Sequence, residues 1–151
     1  LINLLRKAAR PAVDVLQGSD NPHLSLTTSD DGAGETVPGL IAMRFAAPIF
    51  FGNAQTLSAA IRRAVREAPN PVSAFVLDME GVTDVDVTGA EALAKELQWL
   101  QGKGITFAYS RVRPQLHANL ARMHLLQGHH IFETNRAAVA ALRPGSATES
   151  G

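Results

Sequence analysis

The sequence predicts a single α/β domain in which helices flank a mostly parallel central β-sheet. Short β-prone runs alternate with helix-period patterns along most of the chain, which is typical of parallel βαβ units. The 151 residues suffice for one domain with its own core and are too few for two ordinary ones. Apolar residues make up 46% of the chain and charged residues 19%, which is the composition of a globular protein.

The chain divides into four predicted parts. Residues 1–16 have apolar positions spaced for one face of a helix, with Pro11 as a kink, and are predicted to form a connector helix. Residues 17–37 are rich in Gly, Ser, Thr, Asp and Asn and are predicted to be a flexible linker. The folded domain is predicted to span residues 38–143, and residues 144–151 to be a disordered tail.

Two interpretations of residues 1–16 stay open. They form either a connector helix that docks loosely on the domain or a juxtamembrane segment whose basic residues suit the cytoplasmic leaflet. Because the chain begins at Leu1 and not at Met, we expect it to be a fragment of a larger protein.

The first half of the predicted domain holds three strands and one helix. Residues 40–45 and 49–51 are β-prone runs, and residues 75–77 are an apolar run typical of a central strand covered on both faces. Asn53 is a good N-cap for the helix between them. The helix is predicted to turn Leu57, Ile61, Ala64 and Val65 inward and Arg62, Arg63 and Arg66 outward.

A second helix is predicted to begin at Thr88. Glu91 follows three residues later, so the two form a capping box, and Gly102 ends the helix. Its predicted inward face consists of Leu93, Ala94, Leu97 and Leu100.

The remaining elements follow in the same alternation. Residues 105–109 are predicted to be a strand, and Pro114 the first residue of a helix that Gly128 stops. Residues 131–132 are predicted to form an edge strand and residues 136–142 a final helix.

Charge and composition argue against several classes of function. Fourteen basic residues balance fourteen acidic ones, so no overall field attracts nucleic acid, and none is expected as a partner. Cysteine is absent, which leaves no thiolate metal site and no redox pair. No run of about 18 apolar residues occurs, so no segment is predicted to cross a bilayer and we expect the fragment itself to be soluble.

Catalytic signatures are missing as well. The five histidines form no HExxH pattern, and no G-x-S-x-G motif occurs. Residues 102–106 resemble a phosphate loop in composition, but they run from a helix into a strand and not the reverse. We therefore predict no catalytic residue, no metal site and no enzyme.

Four carboxylates crowd the segment after the central strand: Asp78, Glu80, Asp84 and Asp86. Paired carboxylates could serve acid/base chemistry or bind a hard cation such as Mg²⁺. The alternative, which we prefer, is that some cap turns and the others are solvated.

The loop Asp86-Val87-Thr88-Gly89 joins the carboxyl end of the central strand to the start of the next helix. A helix start offers N–H groups to an anion, and open α/β sheets bind ligands at the carboxyl ends of their strands. Because the nearby acids oppose a bare phosphate, such a site would need a bridging cation or a basic group from elsewhere. Arg111, after the following strand, is the candidate.

Residues 76–82 followed by Asp86-Val87-Thr88-Gly89 resemble the strand–loop–helix signature of the STAS domain, which sulfate transporters and anti-sigma-factor antagonists share. In the antagonists this loop reads Asp-Ser-Ser/Thr-Gly, and its first Ser is phosphorylated as a switch. Here that position is Val87, which has no hydroxyl, although Thr88 keeps one.

Two further segments favour the transporter branch. Residues 47–54, Ala-Pro-Ile-Phe-Phe-Gly-Asn-Ala, are similar to a segment typical of SulP-type anion permeases. Residues 6–11 resemble the helix that links the last membrane span of those permeases to their STAS domain.

The resemblance implies the cytosolic C-terminal domain of a multipass sulfate or inorganic anion transporter, on the cytoplasmic face of the membrane. Its implied partners are the transmembrane domain of the parent and a regulatory protein, and a stand-alone partner-switching antagonist is the alternative. No cofactor is required, but GTP or GDP with Mg²⁺ is a candidate ligand. The candidate nucleotide-binding residues are Phe51, Gly52, Asn53, Asp86, Val87, Thr88, Gly89 and Arg111.

Overall fold

The computed structural model describes residues 12–17, 27–28, 34–50 and 52–145. The predicted connector helix up to Pro11, residues 18–26 and 29–33 of the predicted linker, the candidate Phe51 and the predicted tail beyond Gly145 lie outside the described residues.

Six strands of the described ranges form one sheet with the strand order β2-β1-β3-β4-β5-β6. The strands from β3 to β6 run parallel, whereas β1 is antiparallel to both β3 and β2. Their bounds are β1 Ala12–Gln17, β2 Thr27–Thr28, β3 Leu40–Ala46, β4 Ala74–Asp78, β5 Thr106–Ser110 and β6 His130–Phe132.

The described ranges contain four helices, which alternate with the parallel strands. The longest has 16 residues. None of the described helices combines the length and the apolar character needed to cross a bilayer. Their bounds are α1 Ala54–Glu67, α2 Val87–Gly102, α3 Pro114–Arg122 and α4 Asn135–Leu142.

The sheet is covered unequally on its two faces. The larger core joins α1, α2 and α3 to one face, where alternate residues of β3, β4 and β5 point. The smaller core lies on the other face, where Ala138 of α4 packs with Ala42, Ala74 and Val76. The period of two along the strands assigns each residue to one face. The predicted α/β class, with a mostly parallel sheet and flanking helices, is confirmed.

The central strand β4 is buried at all five positions. The apolar run at residues 75–77 predicted this burial, since helices cover both faces of a parallel sheet at its central strands. Its last residue, Asp78, is a carboxylate with 0% exposure. Burial of this charge requires partners, which lie at the carboxyl edge of the sheet.

Residues 12–16, predicted as the end of a helix, form strand β1 instead, so that prediction is wrong there. Val13 and Val15 pack into the larger core, whereas Leu16 packs into the smaller one. This alternation is a period of two, and β1 gains hydrogen bonds and apolar cover by pairing with β3, whereas an isolated helix of this length would be marginally stable.

Part of the segment predicted as a flexible linker belongs to the fold. Thr27–Thr28 forms β2, and Thr36 and Val37 are buried. The hydroxyl of Thr36 accepts a hydrogen bond from the backbone N–H of Ala42 at 2.8 Å. This polar side chain is thus part of the buried structure beside β3, although the composition of the segment predicted a solvent-exposed linker. The linker prediction is therefore wrong at these residues.

The strand predicted at residues 49–51 is not formed by its described residues. Ile49 makes a single isolated bridge to Val85, and Phe50 lies outside any strand. Pro48 has no N–H to continue a ladder. The chain turns directly into α1.

Helix α3 was predicted to continue to Gly128, but it ends at Arg122. His124 has a positive φ of 59°, which a helix cannot contain, and the N–H of Leu125 bonds to the carbonyl of Leu120. Two turns then lead to β6.

Arg62, predicted to point outward from α1, lies between α1 and α2. Its Nε donates to Glu96 Oε2 at 3.0 Å, and its guanidinium carbon lies 5.1 Å from the ring centre of Trp99. Glu96 is buried, so the ion pair and the ring join two helices that both cover the larger core.

We predict that Leu16→Ala lowers the free energy of unfolding by about 2–4 kcal/mol, because it empties a site buried between β1 and the rest of the smaller core. Urea unfolding measures the change. The control is Gln55→Ala at an exposed position of α1, expected within about 0.5 kcal/mol of the parent chain. Equal stability of the two variants would show that β1 is not part of the cooperative fold.

Candidate functional site

Ile49 ties two loops together at the carboxyl edge of the sheet. Its N–H donates to the carbonyl of Asp84 at 2.9 Å, and its carbonyl accepts the N–H of Asp86 at 3.0 Å. The segment before α1 therefore runs beside the loop that leads into α2. The structure brings the predicted residues at 52–53 and 86–89 to the same edge.

Gly89 permits this close approach. A Cβ at position 89 would lie 2.8 Å from the carbonyl carbon of Ile49 and nearer still to its oxygen. Real Cβ atoms do not approach a backbone so closely. The glycine of the Asp-Val-Thr-Gly loop is thus explained by packing against Ile49, without any ligand.

Asp86, and not Thr88, caps helix α2, so the predicted capping box is wrong. The carboxylate of Asp86 accepts the N–H of Gly89 at 2.7 Å, and Val87 is the first helical residue. A carboxylate is a stronger acceptor than a hydroxyl and also interacts favourably with the positive end of the helix dipole. Thr88 consequently lies within the first turn, with an exposed side chain.

The buried side chain of Asn53 braces its own loop. Asn53 precedes α1 as predicted, but its side chain makes no hydrogen bond to the helix. Its Oδ1 accepts the N–H of Phe50 at 3.0 Å, and its Nδ2 donates to the carbonyl of Pro48 at 2.6 Å. This side chain would have to leave these partners to bind a ligand.

Asp78 is the centre of a polar cluster that the sequence analysis did not identify. Its Oδ2 accepts Nε of Arg44 at 3.2 Å and Nδ2 of Asn135 at 2.9 Å, and its Oδ1 accepts the N–H of Glu80 at 2.9 Å. Nη1 of Arg111 lies 3.6 Å from the same Oδ2. One available signal was the position of Arg44 and Asp78 at the ends of neighbouring strands, where they are register partners.

Arg111, the predicted basic group for a phosphate, is already paired. Its guanidinium contacts both Asp78 and Glu80, and its backbone N–H donates to the carbonyl of Phe132. Its φ of 55° is unusual for a residue other than glycine. A phosphate bound by Arg111 would compete with two carboxylates.

The other acids of this region act as turn and helix caps, which is the interpretation preferred from the sequence. Asp84 Oδ1 accepts the N–H of Val85 at 2.8 Å and Nδ2 of Asn119 at 3.0 Å, and Asp86 caps α2. Among the residues that the structure describes, no three His, Asp or Glu side chains are grouped so that they could hold a metal ion.

An apolar surface remains exposed at this edge. Val87, which follows Asp86, is 69% exposed, and Phe50, which follows Ile49, is 45% exposed. Asp86 and Ile49 are joined by a backbone hydrogen bond. A groove of about 260 Å³ continues from Val87 between the start of α2 and the end of α3. We call Phe50 and the groove residues the apolar patch. The groove residues are Val87, Ala90, Glu91, Ala94 and Met123.

Tyr109 and His129 are titratable groups with shifted pKa values, and they lie in a different part of the fold. Burial raises the pKa of Tyr109, whose hydroxyl donates to the carbonyl of Leu125 at 2.8 Å. Burial also lowers the pKa of His129, which packs edge-on against Phe107 beside a cavity of about 420 Å³ at the start of β5 and β6. Both contacts are structural.

We predict that Gly89→Ala lowers the free energy of unfolding by about 1–3 kcal/mol, although alanine is the better helix former, because its methyl group would push Ile49 away. The control is Gly102→Ala in the last turn of the same helix, where an added Cβ meets nothing within 4 Å. The control should be neutral or up to about 1 kcal/mol more stable. Thermal unfolding of both variants is the measurement, and equal gains would contradict the close approach.

Known proteins resemble this chain in sequence and in fold. A Mycobacterium tuberculosis protein named "Probable sulfate transporter" is 34% identical over 149 residues, in a match that covers 95% of this chain and 26% of that protein. The murine anion transporter Solute Carrier 26 family member A9 has a TM-score of 0.71 at 15% identity, over 93% of this chain and 24% of that one. An anti-sigma-factor antagonist (STAS) domain protein from Planctomyces limnophilus has a TM-score of 0.51 at 20% identity, over 68% of this chain and 90% of that one. At these identities the two structures show the fold alone.

The chain spans about a quarter of the length of the curated relatives it matches. A model of the STAS domain family matches residues 34–138, from the turn before β3 to the middle of α4. That range includes both loops joined by Ile49 and the whole parallel part of the sheet. The resemblance seen at residues 76–82 and 86–89 is therefore confirmed, and the chain belongs to the STAS domain family.

Proposed function

We propose that this chain is the cytosolic regulatory and interaction domain of a SulP-type sulfate or inorganic anion transporter, and that it works through contacts of the apolar patch. The exposed side chain of Val87 carries this proposal. It is 69% exposed at the first position of α2, where a polar residue would be solvated at no cost. Val87 continues into the groove lined by Ala90, Ala94 and Met123, and contiguous exposed apolar surface of this kind marks protein contact sites.

Val87 also weighs against the alternative, a stand-alone partner-switching antagonist. The resemblance places Val87 where the antagonists have their phosphorylated Ser, and valine has no hydroxyl to accept a phosphate. Asp86 next to it uses its carboxylate to cap α2. Where the antagonists have a Ser that gains charge on phosphorylation, this chain would therefore have a permanent apolar contact.

The likeness to transporters supports the second part of the proposal. The relative at 34% identity matches nearly all of this chain with only 26% of its own length, so most of that protein lies outside the match. We infer a parent protein of similar organisation, whose transmembrane domain is the principal partner of this domain. The proposal includes no catalysis, because the carboxylates near the loop serve as caps and ion-pair partners.

Guanine nucleotide binding is the second candidate function, favoured by one observation. The hydrogen bonds of Ile49 place the segment before α1 beside the start of α2, which are the two predicted halves of the site. Two observations oppose it. First, Arg111 is paired with carboxylates. Second, open α/β sheets bind ligands in a crevice where the strand order reverses, and the parallel strands β3 to β6 follow one another in chain order without such a reversal.

For the nucleotide, we expect that titration with GTP or GDP and Mg²⁺ shifts the backbone amide resonances of residues 52–53 and 86–89, because N–H groups at a helix start are the available anion donors. Titration with ATP tests base selectivity, and titration without Mg²⁺ tests the bridging cation. Shifts that avoid both segments would place any nucleotide elsewhere and remove this site.

For the patch, we expect Val87→Glu in the full-length parent transporter to lower sulfate uptake at least about threefold at equal membrane abundance. A charge buried in a contact costs about 2 kcal/mol or more, roughly thirtyfold in affinity. The fold should tolerate the change, since a carboxylate suits the first turn of a helix.

The matched control for this experiment is Gln98→Glu, which adds the same charge at an exposed position in the middle of α2. It should leave uptake unchanged. Equal uptake by the Val87→Glu variant and the parent would remove the patch from the function.

A further inference from the structure

The chain enters the described fold at the edge that carries the apolar patch. Strand β1 is antiparallel to β3, and its first residue, Ala12, is the register partner of Ala46, the last residue of β3. The parallel strands end at this edge. Residues 1–11 therefore join the fold beside the loops that Ile49 ties together.

The distance from this entry point to the patch is short. Phe50 follows Ala46 by four residues, which span at most about 14 Å of extended chain. The neighbouring strand that holds Ala12 adds about 5 Å. Leu5 lies seven residues before Ala12, and seven residues reach about 23 Å when extended. Leu4 and Leu5 are therefore within reach of the side of the patch formed by Phe50 when the segment is extended.

The chemistry of residues 1–11 matches that of the patch. Their apolar positions are Leu1, Ile2, Leu4, Leu5, Ala8 and Ala9, and their charged positions are Arg6, Lys7 and Arg10, all basic. The patch offers apolar groove walls, and the exposed acids around it are Asp84, Asp86 and Glu91. Arg122, at the end of α3, is a basic residue on the same side. The two surfaces are complementary in both apolar character and charge.

We propose that residues 1–11 dock on the apolar patch, with Leu4 and Leu5 over the groove beside Val87 and the basic residues facing Asp84, Asp86 and Glu91. The inference rests on the proposed function in one respect, that the patch is a contact surface. It names the occupant: the segment of this same polypeptide that leads into β1. This mode of recognition is an amphipathic segment laid into an apolar groove.

Disulfide trapping tests the proposal cleanly, because the chain contains no cysteine. The test variant is Leu5→Cys with Val87→Cys in the full chain. The control is Leu5→Cys with Gln101→Cys, an exposed position in the last turn of α2 at the opposite end of that helix. Under mild oxidation we expect the test pair to form an intramolecular disulfide at least about tenfold faster than the control pair, as a docked segment has a high effective concentration at its site.

Several outcomes would overturn the inference. Equal rates for the two pairs would show that residues 1–11 do not favour the patch. A disulfide that forms only between two chains would assign the patch to a second copy. Absence of any disulfide would leave the patch to the transmembrane domain. Leu4→Cys in place of Leu5→Cys repeats the test with a neighbouring side chain, and unchanged thermal unfolding of the reduced variants shows that they fold.

A charge variant adds an independent measurement. Replacing Arg6, Lys7 and Arg10 by Glu should slow the trapping of the test pair several-fold at low salt and have less effect at high salt. An unchanged rate at low salt would contradict the charged part of the contact. The two proposals can fail separately. If Val87→Glu lowers uptake but the test pair forms no disulfide, only the docking of residues 1–11 is contradicted. If the disulfide forms but Val87→Glu leaves uptake unchanged, only the regulatory role of the patch is contradicted.

Discussion

The two backbone hydrogen bonds of Ile49 are the constraint on which the carboxyl edge of this sheet depends. They hold the segment before α1 against the loop before α2, and they form only because Gly89 has no side chain to keep Ile49 away. Phe50 and Val87, which follow the hydrogen-bonded residues Ile49 and Asp86, are both exposed. The position of the apolar patch thus follows from backbone packing.

The opposite face of the same edge is organised by charge. Asp78 ends a strand that is otherwise wholly apolar, and a buried carboxylate needs charged or hydrogen-bonding partners. Arg44, Arg111 and Asn135 supply them from three different elements. These contacts join β3, β4 and the loop after β5 to the start of α4, the helix that covers this face. The cluster therefore stabilises the edge and leaves no free catalytic carboxylate at Asp78.

Together these two features explain how one fold can serve proteins of different function. The loop between β4 and α2 is held by backbone contacts that do not involve the side chain at position 87. That side chain can therefore vary without loss of the fold. A Ser there would offer a site for phosphate, whereas Val87 offers a surface for apolar contact. The entry of β1 at the same edge brings the preceding segment of the chain close to that surface.

The sequence by itself determined the α/β class, the four described helices and the central strand, because helix and strand periods are local properties of the chain. It also indicated the family, through the resemblance of residues 76–82 and 86–89 to the STAS signature, which the family match over residues 34–138 confirms. Only the tertiary structure decided that residues 12–16 form a strand, since their apolar spacing fitted a helix until β3 provided a partner. Pairing of Arg111 with Asp78 was equally hidden. Such contacts join residues far apart in the sequence, and local pattern carries no record of which distant groups the fold will bring together.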